Sequence, residues 1–260
     1  IAGVLIATAG AGVCFLIDGL SYIAVIWSLL AMKIAPGTPY IVQKSAWQEL
    51  AEGWKYVVES PAIRSILLVL ALVSVIGMPY TVLMPIVAVD VLHGGAHTLG
   101  FLVGMSGVGA LASAIGLALR KTVIGLGKRI AISAALFGGG LVFLGFSRSL
   151  PLSLLLMTLT GFGMMQQMAA SNTILQTIAA DDKRGRVMSF YTLAILGMNP
   201  IGSLVAGAVA AKIGVPWTMI GAGGICLAGA AWFYSKLPEI RRVIRPIYRE
   251  LGILPEVAEG

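Results

Sequence analysis

Seven long apolar stretches divide the chain, and each is about as long as a helix that crosses a lipid bilayer. They cover residues 15–32, 66–89, 98–119, 130–147, 150–173, 187–211 and 217–235, and a shorter apolar stretch covers residues 1–9. Only 11% of the residues are charged, whereas a soluble domain carries about 25%. Because backbone groups in lipid must be paired within the segment, and because the stretches lack the alternation of barrel strands, they predict helices. The sequence therefore predicts an all-α, polytopic membrane protein.

Basic residues mark alternate connections between these stretches. Apart from Arg148 and Lys212, all of the 18 lysines and arginines lie in the connections of one side or in the tail. Short cytoplasmic connections carry an excess of Lys and Arg, so this side is predicted to be cytoplasmic. We therefore expect a multi-pass protein of the cytoplasmic (plasma) membrane with a cytoplasmic C-terminus. The net charge of +7 is spread around helix ends, which favours membrane lipids over nucleic acid as partners.

The only long connection covers residues 33–64. Residues 36–39 read Pro-Gly-Thr-Pro and break helices, and Ser45 followed by Gln48 has the pattern of a capping box. Large apolar and polar residues then alternate at helical spacing: Trp47, Leu50, Trp54, Val57 and Val58 against Gln48, Glu49, Glu52 and Glu59. This predicts an amphipathic helix that ends before Pro61. Two placements stay open: the helix lies at the membrane surface with its tryptophans among the headgroups, or it packs on other cytoplasmic connections.

The sequence lacks the motifs of common enzymes and metal sites. It contains no phosphate-binding loop, dinucleotide fingerprint, nucleophile elbow or Cys/His ligand spacing. We therefore expect no enzyme, no cofactor and no metal. Cys14 and Cys226 lie in apolar stretches and are predicted to be reduced, small apolar residues. Asp90, His93 and His97 fall in an outer connection, where we expect them to be solvated, with pH sensing as the alternative.

Four strings along the chain resemble the major facilitator superfamily. Residues 15–22 (Phe-Leu-Ile-Asp-Gly-Leu-Ser-Tyr) resemble the start of its sixth helix, and residues 49–64 resemble its central cytoplasmic loop. Residues 184–189 (Arg-Gly-Arg-Val-Met-Ser) resemble its loop between helices ten and eleven, and residues 200–207 its eleventh helix. Within the superfamily, the strings are most similar to the exporter branch that includes enterobactin exporters and multidrug proton antiporters. The ordered set, rather than any single string, carries the resemblance.

The resemblance implies how the chain is divided. Residues 1–32 would hold the end of helix five and all of helix six, and residues 33–64 the central loop. Residues 65–236 would form the C-terminal six-helix bundle, and residues 237–260 a cytoplasmic tail. Because the chain begins with Ile1 inside an apolar stretch, we expect that its natural beginning is missing and that the absent N-terminal helices are its partner. The chain departs from the family between helices eight and nine: Arg120, Lys121, Lys128 and Arg129 are present there without the usual acidic residue.

The resemblance also implies a function. Proteins of this branch move a small molecule across the membrane by alternating access between two bundles. Proton-coupled efflux of a drug-like compound or siderophore is therefore expected, with protons as a further partner. An importer of the same fold is one alternative. A membrane protein with a lipid-handling or receptor role is another.

Two prolines fall near the middle of predicted spans. Pro79 and Pro200 each lack a backbone N–H, which frees the carbonyl groups of Val75 and Leu196 respectively. Transporters use such breaks around substrate sites, so we expect helix breaks at both positions. A simple kink that serves packing is the alternative.

Amide side chains lie at the same predicted depth. Gln166 and Gln167 fall in one span and Asn199 in another, where an unpaired amide costs several kcal/mol in hydrocarbon. We expect them to form the polar wall of a substrate site, to which Tyr80 and Met84 add soft apolar surface together with Met165 and Met198. Hydrogen bonding between helices is the alternative.

Charged residues suggest a coupling group and a gate. Asp18 lies inside an apolar stretch and is the candidate for proton coupling, with a structural hydrogen bond as the alternative. A cytoplasmic cluster contains Asp181, Asp182, Arg184 and Arg186. We expect its ion pairs to hold helices ten and eleven when the cytoplasmic side is closed. The alternative is a solvated turn that only fixes topology.

Overall fold

The computed structural model describes residues 2–32, 46–120, 122–250 and 252. These residues form helices and short turns without a β-strand, which confirms the all-α prediction. The α-helices are α1 (Ala2–Ala31), α2 (Ala46–Glu59), α3 (Pro61–Leu72), α4 (Tyr80–Ile86), α5 (Ala96–Ala118), α6 (Leu126–Phe146), α7 (Leu150–Ile178), α8 (Asp181–Thr192), α9 (Asn199–Ile213) and α10 (Val215–Glu250). Three π-helical turns follow α3, α4 and α8, at Val73–Gly77, Val87–Val91 and Leu193–Gly197.

Five spans of the described chain are long and apolar enough to cross a membrane. They are Pro61–Val91, Ala96–Ala118, Leu126–Phe146, Asp181–Ile213 and Val215–Glu250. The helix α7, at 29 residues, falls within the range of lengths of these spans but carries the polar side chains of Gln166 and Gln167 in its middle. The predicted apolar stretches from residue 66 onward thus each coincide with a helix or with a helix pair joined by a π turn.

The chain divides into two compact units, residues 1–45 and residues 46–260. In the first unit, α1 is one uninterrupted helix of 30 residues. The sequence predicts the end of one span here, followed by a second span that starts at residue 15. The structure shows no break between residues 9 and 15. The intervening residues are apolar and include no proline, and a helix-interior glycine such as Gly12 costs only about 1 kcal/mol.

In the second unit, α6 packs against α7 and α10 through closely spaced glycines. The backbone carbonyl of Gly223 on α10 lies 2.8 Å from the position that a Cβ would take at Gly138 on α6. Gly163 on α7 lies equally close to α6, 2.7 Å by the same measure from the carbonyl oxygen of Ser133. Phe137 is fully buried at this level and fills the space between the helices. Close backbone approach of this kind is how helices associate where water does not drive them together.

The helix α10 is longer than a membrane is thick. Its 36 residues span about 54 Å, compared with about 30 Å of hydrocarbon. Leu237 lies against Gly127, which is in the first turn of α6. The residues of α10 after Leu237 therefore extend about 20 Å beyond the start of α6.

The helix α2 packs on α3 and α8. Val57 is buried and Gly53 lies against Arg186 and Phe190, whereas Trp47 is 79% exposed. The predicted amphipathic helix therefore contacts other helices with one side and leaves a tryptophan outside. Several features that the sequence predicts lie outside the described residues. They are the cap at Ser45, the helix-breaking residues 36–39 and the basic residues Lys33, Lys44 and Lys121.

Candidate functional site

The span that begins at Pro61 is interrupted just before Pro79. Its last regular turn is followed by the π turn Val73–Gly77, closed by a hydrogen bond of 2.9 Å from the Met78 amide to the Val73 carbonyl. Pro79 has no amide to continue the helix, so α4 begins anew at Tyr80. The break thus lies where the sequence places a proline in the middle of a span.

A second break precedes Pro200. The π turn Leu193–Gly197 is closed by a hydrogen bond of 3.2 Å from the Met198 amide to the Leu193 carbonyl. The helix α9 then starts at Asn199, with Pro200 in its first turn, where the missing N–H costs nothing. π turns inside helices occur frequently at functional sites.

The two breaks contact each other. The hydroxyl of Ser74, in the first π turn, donates a hydrogen bond of 2.8 Å to the carbonyl of Ile195 in the other. A Cβ at Gly202 on α9 would overlap the carbonyl oxygen of Val75, the group that Pro79 leaves without its usual donor. Only glycine lets the two helices approach this closely. We call the contact of Ser74, Val75, Ile195 and Gly202 the break junction.

Tyr80 and Met84 lie inside the bundle beside the break junction. The Tyr80 ring packs edge-on against Phe137, with ring centroids 5.9 Å apart. Its hydroxyl is 3.4 Å from the Ser106 hydroxyl on α5. Met84 is only 1% exposed, so it supplies soft apolar surface to the interior.

The predicted amides are buried with unmet hydrogen-bonding capacity. Gln166 accepts a hydrogen bond of 3.0 Å from Ser113 on α5, but its amide nitrogen has no partner in the described part of the chain. Gln167 is 1% exposed, and neither its oxygen nor its nitrogen is paired with a described residue. The same holds for the hydroxyl of Ser171, one turn further along α7, and for the side-chain oxygen of Asn199. Such groups normally find a partner, and each unpaired one costs about 1–3 kcal/mol.

Gln166 and Gln167 are enclosed rather than open to a cavity, whereas Asn199 is half-buried. The hydrogen bond from Ser113 connects Gln166 on α7 to α5. For Gln166, this is the hydrogen bonding between helices that the sequence leaves open as the alternative. The side-chain oxygen of Asn199 accepts no hydrogen bond from either glutamine. An open groove of about 550 Å³ instead runs along α8 and its π turn, where Leu193 and Leu196 are exposed.

The charged cluster around the start of α8 pairs in short-range contacts. Arg184 binds Asp181 at 2.6 Å, and Lys183 binds Asp182 at 3.2 Å. The Arg184 side chain also donates a hydrogen bond of 3.0 Å to the carbonyl of Gln176, which ties the end of α7 to α8.

Arg186 instead pairs with the connector helix α2. Its guanidinium lies 2.9 Å from the Glu52 carboxylate. Beside this ion pair, the Ala180 amide donates a hydrogen bond of 3.2 Å to the Tyr56 hydroxyl, and the rings of Trp54 and Phe190 are 5.9 Å apart. We call these contacts the α2–α8 junction.

The pairing of Glu52 was not predicted, although Gly53 gave a signal. A glycine inside an amphipathic helix is costly, so it marks a close approach of another backbone or side chain. Asp18 lies near the middle of the continuous helix α1, and its carbonyl accepts a hydrogen bond of 2.7 Å from Ser21. Asp90 lies inside the π turn Val87–Val91 that closes its span, and His93 follows with a positive φ of 51°.

Comparison with known proteins finds relatives that are described as a transporter and an efflux pump. It matches the family described as transmembrane secretion effectors over residues 1–247. It is 25% identical over 240 residues to the staphyloferrin A transporter of Staphylococcus aureus (strain NCTC 8325 / PS 47), covering 91% of this chain and 59% of that protein. It is 23% identical over 252 residues to the multidrug efflux pump Tap of Mycolicibacterium fortuitum, covering 95% and 61%.

A solved structure shares the fold. A bacterial homologue of the human lysosomal transporter Spinster, inward-facing and unoccupied, matches with a TM-score of 0.50 and 13% identity, covering 83% of this chain and 54% of that one. The chain spans about three fifths of the length of the two curated relatives. The predicted resemblance is thereby confirmed, as is the expectation that the chain is not an enzyme. Since the family match runs over residues 1–247, the chain belongs to the transmembrane secretion effectors of the major facilitator superfamily.

Proposed function

We propose that the protein exports a small molecule by alternating access and that residues 65–236 are its C-terminal bundle. The observation that carries this proposal is the break junction, where the π turns of two spans meet through the Ser74 hydroxyl at 2.8 Å. Interrupted helices that meet inside a bundle provide unpaired backbone groups and a place to bend. A bundle with only a structural role would need neither unpaired backbone groups nor a place to bend.

The substrate is proposed to be an amphipathic compound, either drug-like or a siderophore. Two relatives are described as a siderophore transporter and a drug efflux pump, which supports this class. The interior offers apolar and polar contacts together, since the buried Tyr80 and Met84 lie in the same bundle as the unpaired amides of Gln166 and Gln167. In the proposed cycle these amides, together with Asn199, bind substrate when the bundle opens toward its partner helices.

The partner helices are proposed to pack on α5 and on the span Asp181–Ile213. Only 17% of the residues in an apolar 18-residue stretch of each of these two spans are buried, compared with 56% for Pro61–Val91 and for α6. Their apolar side chains must therefore face either lipid or further helices. In a two-bundle transporter, the substrate lies between the bundles.

Proton coupling and the gate complete the proposal. Asp18 would carry the proton, because it is an acidic residue in the middle of an apolar helix. The α2–α8 junction, together with the pairs of Asp181 with Arg184 and of Asp182 with Lys183, would close the side from which substrate enters. By the distribution of basic residues this is the cytoplasmic side, and the C-terminus lies there too.

The test is an efflux assay with the full-length protein in everted membrane vesicles. A panel of amphipathic dyes, drugs and siderophores is offered with and without a proton uncoupler. We expect transport of at least one of these compounds and its loss with the uncoupler. Uncoupler-resistant transport would contradict proton coupling alone, whereas transport in the opposite direction would favour the importer.

A serine pair tests the role of the break junction. Ser74→Ala removes one buried hydrogen bond between the spans, worth about 1 kcal/mol, so we expect a transport rate changed by about fivefold. Ser235→Ala is the matched control, because its hydroxyl bonds only within its own helix, to the Trp232 carbonyl at 2.7 Å. Equal rates for Ser74→Ala, Ser235→Ala and the parent would show that the junction has no part in transport.

A further inference from the structure

A groove lies at the end of the bundle where the basic residues cluster. It encloses about 290 Å³ between the final turns of α10 and the chain around the start of α6. It is separate from the break junction and from the α2–α8 junction, with which it shares no lining residue.

The floor of the groove is apolar. Leu237, Ile240 and Ile244 of α10 line it together with Ile174 of α7, and all four side chains are at least nine-tenths buried within the bundle. These α10 residues recur at spacings of three and four, so they form one face of the helix. A face of this kind accepts hydrocarbon more readily than it accepts water.

The rim of the groove is basic. Arg241 and Arg245 are one turn apart on α10, and Lys128 is in the first turn of α6. None of the three forms a salt bridge with a described residue, and none of the described residues that line the groove is acidic. By contrast, Arg120 in the adjoining loop is occupied, since it donates hydrogen bonds to the carbonyls of Thr122 and Ile124.

A neutral donor completes the set. Tyr248 lines the groove one turn beyond Arg245, and its hydroxyl has no hydrogen-bond partner in the described chain. Three positive charges and a hydroxyl thus converge on one opening, with an apolar floor behind them. The chemistry that fits both parts is a phosphodiester attached to acyl chains.

The groove lies at a depth where lipid headgroups are found. The part of α10 beyond Leu237 extends past the start of α6, and thus past the length that hydrocarbon alone requires. Basic pockets at the cytoplasmic ends of membrane helices bind the headgroups of anionic lipids.

We infer that this groove is a binding site for one anionic phospholipid of the phosphatidylglycerol type. The phosphate lies among Lys128, Arg241 and Arg245, the Tyr248 hydroxyl donates to a phosphate oxygen, and an acyl chain lies on the exposed side chain of Ile124, above the apolar floor. The site anchors the final turns of α10 to the bundle through the lipid.

The experiment is a lipid titration of the purified full-length protein in detergent, with bound lipid counted by native mass spectrometry. Phosphatidylglycerol is compared with phosphatidylcholine, and inorganic phosphate is added in a third arm. We expect one phosphatidylglycerol to bind at least tenfold more tightly than phosphatidylcholine, and we expect phosphate alone neither to bind nor to compete. Arg241→Gln combined with Arg245→Gln should weaken the phosphatidylglycerol site about 25-fold, from about fivefold per arginine.

The matched control removes the same charge from the same helix. Arg242→Gln combined with Arg249→Gln changes two exposed arginines that do not line the groove, and it should weaken binding by less than about threefold. An equal loss in both double variants would show diffuse attraction rather than a site and would overturn the inference. Competition by inorganic phosphate, or equal affinity for both lipids, would overturn it as well.

Discussion

A single hydrogen atom in place of a methyl group decides how closely α6 and α10 can approach. Three successive glycines of α6, Gly138, Gly139 and Gly140, have different surroundings. A Cβ at Gly138 would lie 2.8 Å from the Gly223 carbonyl oxygen and 3.0 Å from the Cys226 Cβ, whereas a Cβ at Gly139 would have no neighbour within 4 Å. Adjacent positions in one run therefore carry opposite constraints.

Gly138→Ala should destabilise the bundle, because neither a backbone carbonyl nor a Cβ can rotate out of the way. We expect a loss of about 1–3 kcal/mol, seen as a lower Tm in detergent. Gly139→Ala is the matched control and should be neutral or stabilising by up to about 1 kcal/mol, since alanine is the better helix former. Equal Tm values for the two variants would contradict the close contact of α6 with α10.

Gln167 allows a sharper test of function against stability. Its amide is buried with neither atom paired in the described chain, so replacement by Leu removes a cost of about 1–3 kcal/mol. Gln167→Leu should therefore raise the Tm while it lowers efflux or changes the substrate preference. A variant with raised Tm and parental transport of every substrate would remove Gln167 from the proposed site.

Gln166→Leu is the comparison for that variant. Because Gln166 accepts a hydrogen bond from Ser113, its replacement leaves the serine hydroxyl unpaired and should not raise the Tm. Both glutamines were predicted to bind substrate or another helix, since an unpaired amide in an apolar stretch is costly. Which glutamine binds Ser113 could not be predicted, because that depends on how α5 lies against α7.

At the scale of helices, prolines were the most informative residues in the sequence. The loss of an amide at Pro79 and Pro200 is a property of the residue itself, so breaks could be expected without any knowledge of neighbours. The π turns before them could not, since an extra residue in a turn is compensated by contacts such as that between Ser74 and Ile195. The continuity of α1 was missed for a related reason, because glycine weakens a helix without ending it.

Pro79→Ala should restore a donor for the Val75 carbonyl and allow the span to become continuous. That change favours the isolated helix, by up to about 3 kcal/mol, at the expense of the break junction. We expect an unchanged or higher Tm and transport slower by about 5–30-fold, the equivalent of 1–2 kcal/mol. The rate is measured by dye efflux from vesicles.

Pro238→Ala is the control for this prediction. Pro238 lies inside α10, which remains helical through it without a π turn. Its replacement should leave transport within about twofold of the parent. Comparable slowing in both variants would indicate a general effect of proline removal rather than a role for the break.

At the scale of the whole bundle, the α2–α8 junction connects the central loop to the span Asp181–Ile213. Glu52 and Arg186 are 134 residues apart in sequence, yet their charged groups are 2.9 Å apart. The sequence showed the charged cluster and the amphipathic helix as separate features. No periodicity within either segment predicts that one supplies the partner of the other.

Exchanging the charges at the junction should reveal their coupling. Glu52→Arg and Arg186→Glu should each change transport and lower the Tm, and the double exchange should recover part of both effects, with a coupling of about 1 kcal/mol. The same exchange between Lys55 and Glu59, an exposed pair 3.8 Å apart within α2, should show less than about 0.5 kcal/mol. Additive effects at Glu52 and Arg186 would mean that the junction is not a functional contact.

The π turns have a geometric consequence for the movement of the bundle. Each holds one residue more than an α turn, so the helix beyond it is rotated by about 100° relative to an uninterrupted helix. If a π turn relaxes to an α turn, the half of the span after the turn (the far half) rotates about its axis. The half before the turn (the near half) keeps its contacts. Spin labels on α4 and α9, with reference labels on α3 and α8, would report such a swivel as changed distances in the far halves alone. Two turns in contact through Ser74 and Ile195 would swivel together, so that one switch sets the direction in which both spans face.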